Sequence, residues 1–192
     1  MDVSSLCGVL CAIVGKHSGN QRLLAEGRRL IAWVVDKQLN NGAWFYTHPP
    51  RDSHIKHDNY HTGEIVDSLL EYELTTGDTC FHEAWRKGLE FYRLNLFTPA
   101  WRPRWMSDKE FPYDVHGYSQ GIITFSMAGE LGIASSVAEA ALKDIFNHRE
   151  GRFYYQKRRR RIVRVTLMRW CQAWMSFALS HLVLALHHRH TQ

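Results

Sequence analysis

The sequence predicts an all-α protein built from repeated helical hairpins, and three observations carry this prediction. All five prolines fall between residues 49 and 112, beside other turn residues, so they mark connectors and leave long segments free of helix breakers. Several of those segments place apolar residues at helical spacing, as with Phe81, Trp85, Leu89 and Tyr92. Finally, a plan of two helices around a glycine turn recurs along the chain.

The recurring plan predicts three hairpins. Their helices and turns are residues 6–16, 18–20 and 22–38; residues 63–75, 76–78 and 80–96; and residues 121–131, a turn at Gly132, and residues 135–147. Gly19 and Gly77 lie 77 − 19 = 58 residues apart, and Gly77 and Gly132 lie 132 − 77 = 55 residues apart. A last helix, residues 166–187, opens a fourth unit. Such a period is typical of repeat proteins, whose units bury their apolar faces against one another.

The two helices of each unit differ in polarity. Hydrophobic residues surround most of the helix at residues 167–186, which predicts a helix covered on all sides, whereas residues 83–96 are amphipathic. Inner helices ringed by outer helices describe an α/α toroid, and about three and a half hairpins make part of an (α/α)6 ring. We therefore expect one partial toroid domain over residues 1–192. Either a second copy or a partner that supplies the missing hairpins would complete its core.

Composition narrows the classes of partner and compartment. The net charge of +5 comes largely from the basic run at residues 157–164, so the rest of the chain is near neutral, which disfavours nucleic acid. Four cysteines without a CxxC pattern disfavour a disulfide framework and predict a reducing, cytoplasmic location. Arg169, Gln172 and His181 interrupt the most apolar stretch, so no membrane span is predicted.

Polar residues recur at the starts of the predicted inner helices. Residues 58–63 align with residues 113–118 and with residues 168–172, and in a toroid such starts point into one mouth of the central cavity. The predicted catalytic residues are Asp58, Asp114, His61 and His116. The predicted substrate-binding residues are Trp44, Tyr60, Tyr113, Tyr118, Arg169, Trp170, Gln172 and Trp174.

These residue types suit a sugar, because polar groups bind hydroxyls or a uronate while aromatic faces cover the apolar side of the ring. Two reactions stay open. Asp58 and Asp114 could share acid and base roles in glycoside hydrolysis. Alternatively, His61 or His116, with Tyr60 or Tyr113, could abstract a proton next to a carboxylate in an epimerase or lyase.

Plainer interpretations compete with these roles. Asp58 and Asp114 stand where a helix amino-cap is wanted, and the two histidines could be polar residues at the core edge. His54, His57, Asp58 and His61 have the spacing of metal ligands, but no second ligand pair accompanies them, so neither a metal nor a cofactor is predicted. The basic run is most simply a solvated connector, with binding of an anionic glycan as the next interpretation.

Three motifs carry a resemblance to a known family: Lys37-Gln38-x3-Gly42-Ala43-Trp44, Asp58-Asn59-Tyr60-His61-Thr62-Gly63 and Met168-Arg169-Trp170-x-Gln172-Ala173-Trp174. With them the chain resembles bacterial polysaccharide-biosynthesis proteins of the VpsJ type, in the six-hairpin glycosidase-like superfamily. The resemblance covers residues 23–186 and matches the carboxy-terminal half of such proteins. It implies an α/α toroid that acts on or binds a neutral or acidic oligo- or polysaccharide during exopolysaccharide biosynthesis.

Two other functions are weighed beside this one. The Gln38-x3-Gly42-x-Trp44 motif also resembles the glutamine-tryptophan repeat of terpene cyclases, although their aspartate-rich initiation motif is absent from the sequence. The other alternative is a non-catalytic helical repeat whose concave face binds a protein or a glycan.

Overall fold

The computed structural model describes residues 1–190, and of residue 190 only the backbone. Helices make up 64% of the structure. The helices are α1 (Asp2–Ser18), α2 (Gln21–Asp36), α3 (Asn59–Thr76), α4 (His82–Asn95), α5 (Val115–Met127), α6 (Leu131–Ile145) and α7 (Trp174–His190). The chain divides into two compact units, Met1–Leu94 and Asn95–Gln192, which are described separately below. The single domain over residues 1–192 remains a prediction.

In the first unit, α1 packs against both α2 and α3. Gly19 ends α1 in the left-handed conformation, with φ at 68°, and the Asn20 side chain then caps α2 by accepting from the backbone of Arg22 and Leu23. A Cβ at Gly27 would lie 2.7 Å from the carbonyl oxygen of Gly8, so the two glycines let the helices approach closely. The first hairpin is therefore present, with α1 longer than predicted.

The second hairpin is present as well, and its first helix starts earlier than predicted. α3 begins at Asn59 rather than at residue 63, because the carboxylate of Asp58 accepts a hydrogen bond from the backbone of His61 and caps the helix. Gly77, with φ at 77°, ends α3. A 3-10 turn, Thr79–Phe81, leads into α4.

In the second unit, the third hairpin turns at a different glycine from the predicted one. Gly129 has φ at 77° and separates α5 from α6, whereas Gly132 lies inside the first turn of α6. The prediction of Gly132 as the turn was wrong, because Gly129 is the glycine with the positive φ and Gly132 belongs to the helix that follows. α5 begins at Val115, capped by Asp114, rather than at residue 121.

Short strands in the second unit modify the all-α prediction. They are β1 (Tyr113–Asp114), β2 (Phe146–Asn147), β3 (Arg152–Phe153), β4 (Gln156–Arg158) and β5 (Arg161–Val163). β1, β4 and β5 form an antiparallel sheet in the order β1-β4-β5, and β2 pairs with β3. The segment between α6 and the last helix thus forms paired strands, and the ring centroid of Phe153 lies 4.7 Å from that of Phe146.

The last helix differs from its prediction in two ways. Its start, Met168–Ala173, is a π-helical turn that continues into α7. α7 packs against α5 and α6, yet Phe177, Val183 and Leu184 are each more than half exposed, so within the described residues it is not covered on all sides. The apolar composition of α7 does not indicate which neighbouring helices are available to cover it.

Among residues 1–190, no helix combines the length and the apolar character that a membrane crossing requires.

Candidate functional site

Asp58 and His61 form a tightly joined pair at the start of α3. Asp58 Oδ1 accepts from the backbone N–H of His61 at 2.8 Å, while Asp58 Oδ2 lies 2.5 Å from His61 Nδ1. The same carboxylate therefore caps the helix and orients the imidazole. This contact assigns the ring proton to Nδ1, which leaves Nε2 as the nitrogen that exchanges protons with a ligand.

Acidic groups around His61 favour its charged form. Asp2 Oδ2 lies 3.9 Å from His61 Nε2, and Glu64 stands one helical turn further along α3. Burial lowers the pKa of His61, but its hydrogen bond to Asp58 and the charges of Asp58, Asp2 and Glu64 outweigh burial, and the pKa lies above its ordinary value. These groups thereby favour the protonated imidazole of His61 more than water does.

Tyr60 and Glu64 extend this cluster along α3. Burial raises the pKa of Glu64, and the negative charge of Asp2 adds to the effect, against a hydrogen bond from Tyr60 that lowers it. Burial and the neighbouring Glu64 raise the pKa of the Tyr60 hydroxyl well above its ordinary value, so this hydroxyl stays protonated and acts as a donor.

Beside the pair lies a cavity of about 10 Å³, lined among others by Asp2, Asp58, His61 and Tyr46. The Tyr46 ring packs 4.6 Å from the His61 ring. A volume of about 10 Å³ has room for about one water molecule. A sugar ring would therefore contact this cluster at its rim, with at most a water molecule inside.

Four residues have the sequence spacing of metal ligands: His54, His57, Asp58 and His61. In the structure these four do not come together as one set of ligands. His57 Nδ1 contacts the carbonyl oxygen of Trp44 at 2.8 Å, and His54 packs edge-on against Tyr46. Within the described residues, the set whose ligand atoms lie within 4.8 Å of one another is Asp2, His61 and Glu64.

In the second unit, His116 lies in an aromatic cluster at the start of the last helix. Its ring centroid is 4.2 Å from that of Trp170 and 5.5 Å from that of Trp174, and the guanidinium of Arg169 lies 5.1 Å over the Trp170 ring. Trp170 is 38% exposed, so one region of the cluster is open to a ligand. Asp114, by contrast, is buried and caps α5 by accepting from the N–H of Gly117 at 2.9 Å.

One predicted binding residue, Trp44, and the motif around it have contacts inside the protein. Gln38, Gly42 and Trp44 anchor the connector after α2: the Gln38 amide donates to the carbonyls of Gly42 and Ala84, and the buried Trp44 donates to the carbonyl of Val34. A Cβ at Gly42 would lie 2.4 Å from the Lys87 carbonyl oxygen, which explains that glycine. The motif thus builds the core of the first unit.

The second unit shows the same pattern at three more predicted residues. Gln172 bonds the backbone N–H and carbonyl of Phe153, while Tyr113 donates to Glu110. Tyr118 is fully buried and donates to Asp144 at 2.8 Å. Each of these three side chains uses its polar group in a contact within the protein.

Asp144 centres a buried ionic cluster that the sequence analysis did not identify. Its carboxylate, 1% exposed, accepts from Arg102 Nε at 2.5 Å and from Lys157 Nζ at 2.6 Å, besides the Tyr118 hydroxyl. Burial raises the pKa of Asp144, but these three donors outweigh it and hold the pKa below its ordinary value. The cluster ties α6 to β4 and to the segment after α4.

No protein-family model matches the sequence, and no curated protein does so either. Solved structures do. A cellobiose 2-epimerase from Bacillus thermoamylovorans B4167 matches with a TM-score of 0.70 and 8% identity, over 97% of this chain and 57% of that one. A novel alpha-amylase from Clostridium perfringens matches with a TM-score of 0.57 and 10% identity, over 79% of this chain and 46% of that one.

Both neighbours are (α/α)6 toroids of the glycosidase-like kind. At such low identity the likeness shows the fold alone, and the predicted class of α/α-toroid hairpins is confirmed at that level. This chain spans little more than half of the epimerase's length and less than half of the amylase's. The number of hairpins and the VpsJ-type resemblance remain predictions.

Two groups of residues near the predicted sites were missed. Glu64 follows Tyr60 by four positions on α3, and this helical spacing could have identified it. Asp2 had no such signal, because it reaches His61 only through the packing of α1 on α3. The partners of Asp144 are likewise far apart in sequence, at residues 102, 118 and 157.

A wider hollow lies elsewhere in the first unit. It measures about 310 Å³ and is lined by residues near the end of α1, the start of α2 and the end of α3, among them Lys16, Arg28 and Tyr72. None of the predicted site residues lines it.

Proposed function

We propose that this protein binds a saccharide and that His61, oriented by Asp58, is its acid–base group. The observation that carries the proposal is the 2.5 Å contact between Asp58 Oδ2 and His61 Nδ1, which leaves Nε2 3.9 Å from Asp2, beside a cavity lined by acidic and aromatic groups. A carboxylate that holds one imidazole nitrogen makes the other a better proton acceptor. The structural neighbours, a cellobiose 2-epimerase and an alpha-amylase, are named for reactions on carbohydrates.

In this proposal the second unit has a saccharide contact of its own, the cluster around Trp170. The partly exposed Trp170 indole packs against the apolar side of a sugar ring, and His116, which also contacts Trp174, holds that indole in place. Arg169 lies directly over the same ring, where it binds a hydroxyl or a uronate carboxylate. Exopolysaccharide biosynthesis in a bacterial cytoplasm is the setting proposed from the sequence resemblance.

The acid–base role is tested with His61→Gln and with His17→Gln as its matched control, since His17 is exposed at the end of α1. Both variants and the wild type are incubated with neutral and uronate-containing oligosaccharides, and proton NMR identifies hydrolysed or epimerised products. We expect His61→Gln to lose roughly 100-fold or more in turnover with binding retained, the usual contribution of one acid–base group. Equal turnover by His61→Gln and the wild type would show that His61 has no such role.

A non-catalytic interaction module is the second candidate, and the exposed apolar residues of α1 favour it. Val3, Leu6, Leu10 and Val14 are each more than two fifths exposed along one helix. This candidate is preferred if no oligosaccharide is turned over and if Asp58→Asn and Asp114→Asn alter only the melting temperature.

A further inference from the structure

The hairpin formed by β4 and β5 carries four adjacent arginines, Arg158, Arg159, Arg160 and Arg161, which we call the arginine hairpin. Arg159 and Arg160 form its turn, and Arg158 and Arg161 face each other as cross-strand partners. All four residues are exposed, and Arg164, just beyond β5, is exposed too.

Within the part of the chain that the structure describes, none of these four arginines forms an ion pair with an acidic residue. The nearby Asp144 is taken by Arg102 and Lys157, and Glu150 is taken by Arg152. Arg158 instead donates to a neutral group, the side-chain oxygen of Gln156, at 3.0 and 3.1 Å with the amide turned to suit both partners. The tip of the hairpin thus concentrates four positive charges that form no ion pair among the described residues.

The strand register makes this concentration costly for folding. Directly opposed residues on one face of an antiparallel pair bring their Cβ atoms to about 5 Å, and like charges at such positions are destabilising. An anion bound between Arg158 and Arg161 would remove that repulsion. Guanidinium groups suit a planar carboxylate in particular, because their donors match its two oxygens.

We propose that the arginine hairpin binds the carboxylates of an acidic polysaccharide, so that the saccharide of the proposed function is a polyuronate or a similarly charged glycan. The inference rests on that proposed function. Charge distribution favours a glycan over a nucleic acid. Without the six basic residues at positions 157–161 and 164, the chain has 24 − 6 = 18 basic residues against 19 acidic ones. A single cationic hairpin on a nearly neutral chain fits a flexible, sparsely charged polymer better than a dense phosphate backbone.

The experiment compares polygalacturonate with its fully methyl-esterified form, which has the same backbone without charge. Binding of both polymers to the whole chain is measured by isothermal titration calorimetry at two salt concentrations. One variant changes all four arginines of the hairpin to Gln, and a second changes them to Lys, which keeps the charge but loses the two-pronged donor geometry. A charge-matched control changes Lys16, Arg22, Lys87 and Lys143 to Gln.

We expect the wild type to bind polygalacturonate roughly tenfold or more tightly than the ester, with affinity falling as salt rises. The Gln variant should lose this preference while still binding the ester, the Lys variant should be intermediate, and the control should resemble the wild type.

Three results would overturn the inference. Equal binding of both polymers by the wild type and the Gln variant contradicts the role of the hairpin and leaves saccharide binding intact. Binding of neither polymer contradicts the proposed function itself. Equally tight, hairpin-dependent binding of single-stranded DNA shows a general polyanion site rather than a polysaccharide site.

Discussion

At the scale of single residues, Asp58 combines two tasks that the sequence presents as alternatives. Its position before α3 predicted either a cap or a site residue, and the structure shows a cap whose second oxygen also holds His61. Such sharing is possible because a carboxylate has two oxygens and several acceptor sites. A capping role therefore does not argue against a role in the site.

Replacing Asp58 separates the two tasks. Asn is also a good cap, so Asp58→Asn should change stability little, while Asp58→Ala should lower the free energy of unfolding by about 1 kcal/mol. Both variants remove the negative charge beside His61, so the His61 pKa should fall, as measured by NMR titration of the imidazole protons. A His61 titration curve identical in wild type and Asp58→Asn would contradict the proposed coupling.

The raised pKa of His61 also predicts how stability depends on pH. Because the folded-state pKa lies above the unfolded value of about 6.5, folding takes up a proton. The stabilising contribution is full below that unfolded value and disappears as the pH rises through the folded-state pKa. Urea unfolding of the wild type and His61→Gln should therefore differ more at acidic than at alkaline pH. A difference that grows toward alkaline pH would reverse the sign and refute the assignment.

Asp144 is predicted to matter for stability rather than for ligand binding. Removing a buried charge from an ionic cluster leaves its partners unpaired. Asp144→Asn should therefore lower the free energy of unfolding by about 3 kcal/mol. This value is at the lower end of the usual range because Arg102 and Lys157 are partly exposed to solvent. Asp36→Asn, at an exposed carboxylate, is the control and should change little. Equal effects of the two substitutions in chemical denaturation would contradict the account.

At the scale of elements, the turn of the third hairpin offers a matched pair of glycines. Gly129 has a positive φ that alanine disfavours, so Gly129→Ala should destabilise the protein by about 1 kcal/mol. Gly132 lies in the first turn of α6 with open space around it, so Gly132→Ala should stabilise the protein by about 0.5 kcal/mol. Thermal unfolding of both variants measures this. A stability loss in Gly132→Ala together with a gain in Gly129→Ala would instead support the predicted turn at Gly132.

Sequence reasoning succeeded for elements whose signals are local. Gly19 and Gly77 marked helix ends because a left-handed residue there favours glycine, and Asp58 and Asp114 marked helix starts as caps. It failed for β3, β4 and β5, between α6 and the last helix, because strands this short owe their pairing to tertiary neighbours rather than to their own pattern. The π-helical start of the last helix likewise had no recognisable sequence signal.

At the scale of the whole molecule, the exposed apolar residues of α1 predict association. Leu6 and Leu10 are 42% and 59% exposed, so at high concentration we expect reversible self-association by sedimentation velocity, and Leu6→Gln with Leu10→Gln should weaken it. Leu74→Gln, at an exposed leucine of α3, is the control and should have no effect. A wild type that stays monomeric at every concentration would contradict this expectation.

The site could be predicted only where its residues are close in sequence. His61 lies three positions after Asp58, so both stand at the start of α3. Arg169 directly precedes Trp170, so both stand at the start of the last helix. Asp2 approaches His61 through helix packing, which no local pattern reveals. For the same reason, sequence reasoning could not tell that Trp44 and Tyr118 would be buried while Trp170 stays partly exposed.

The central claim is that each unit contacts a saccharide, the first at His61 and the second at Trp170. The most direct measurement is an NMR titration of the nitrogen-15-labelled protein with neutral and uronate oligosaccharides, following the His61 ring nitrogens and the Trp170 indole N–H. We predict saturable shifts of both signals with at least one oligosaccharide, and unshifted signals for His17 as the internal control. Unchanged His61 and Trp170 signals with every oligosaccharide, at concentrations well above those of the protein, would contradict the claim.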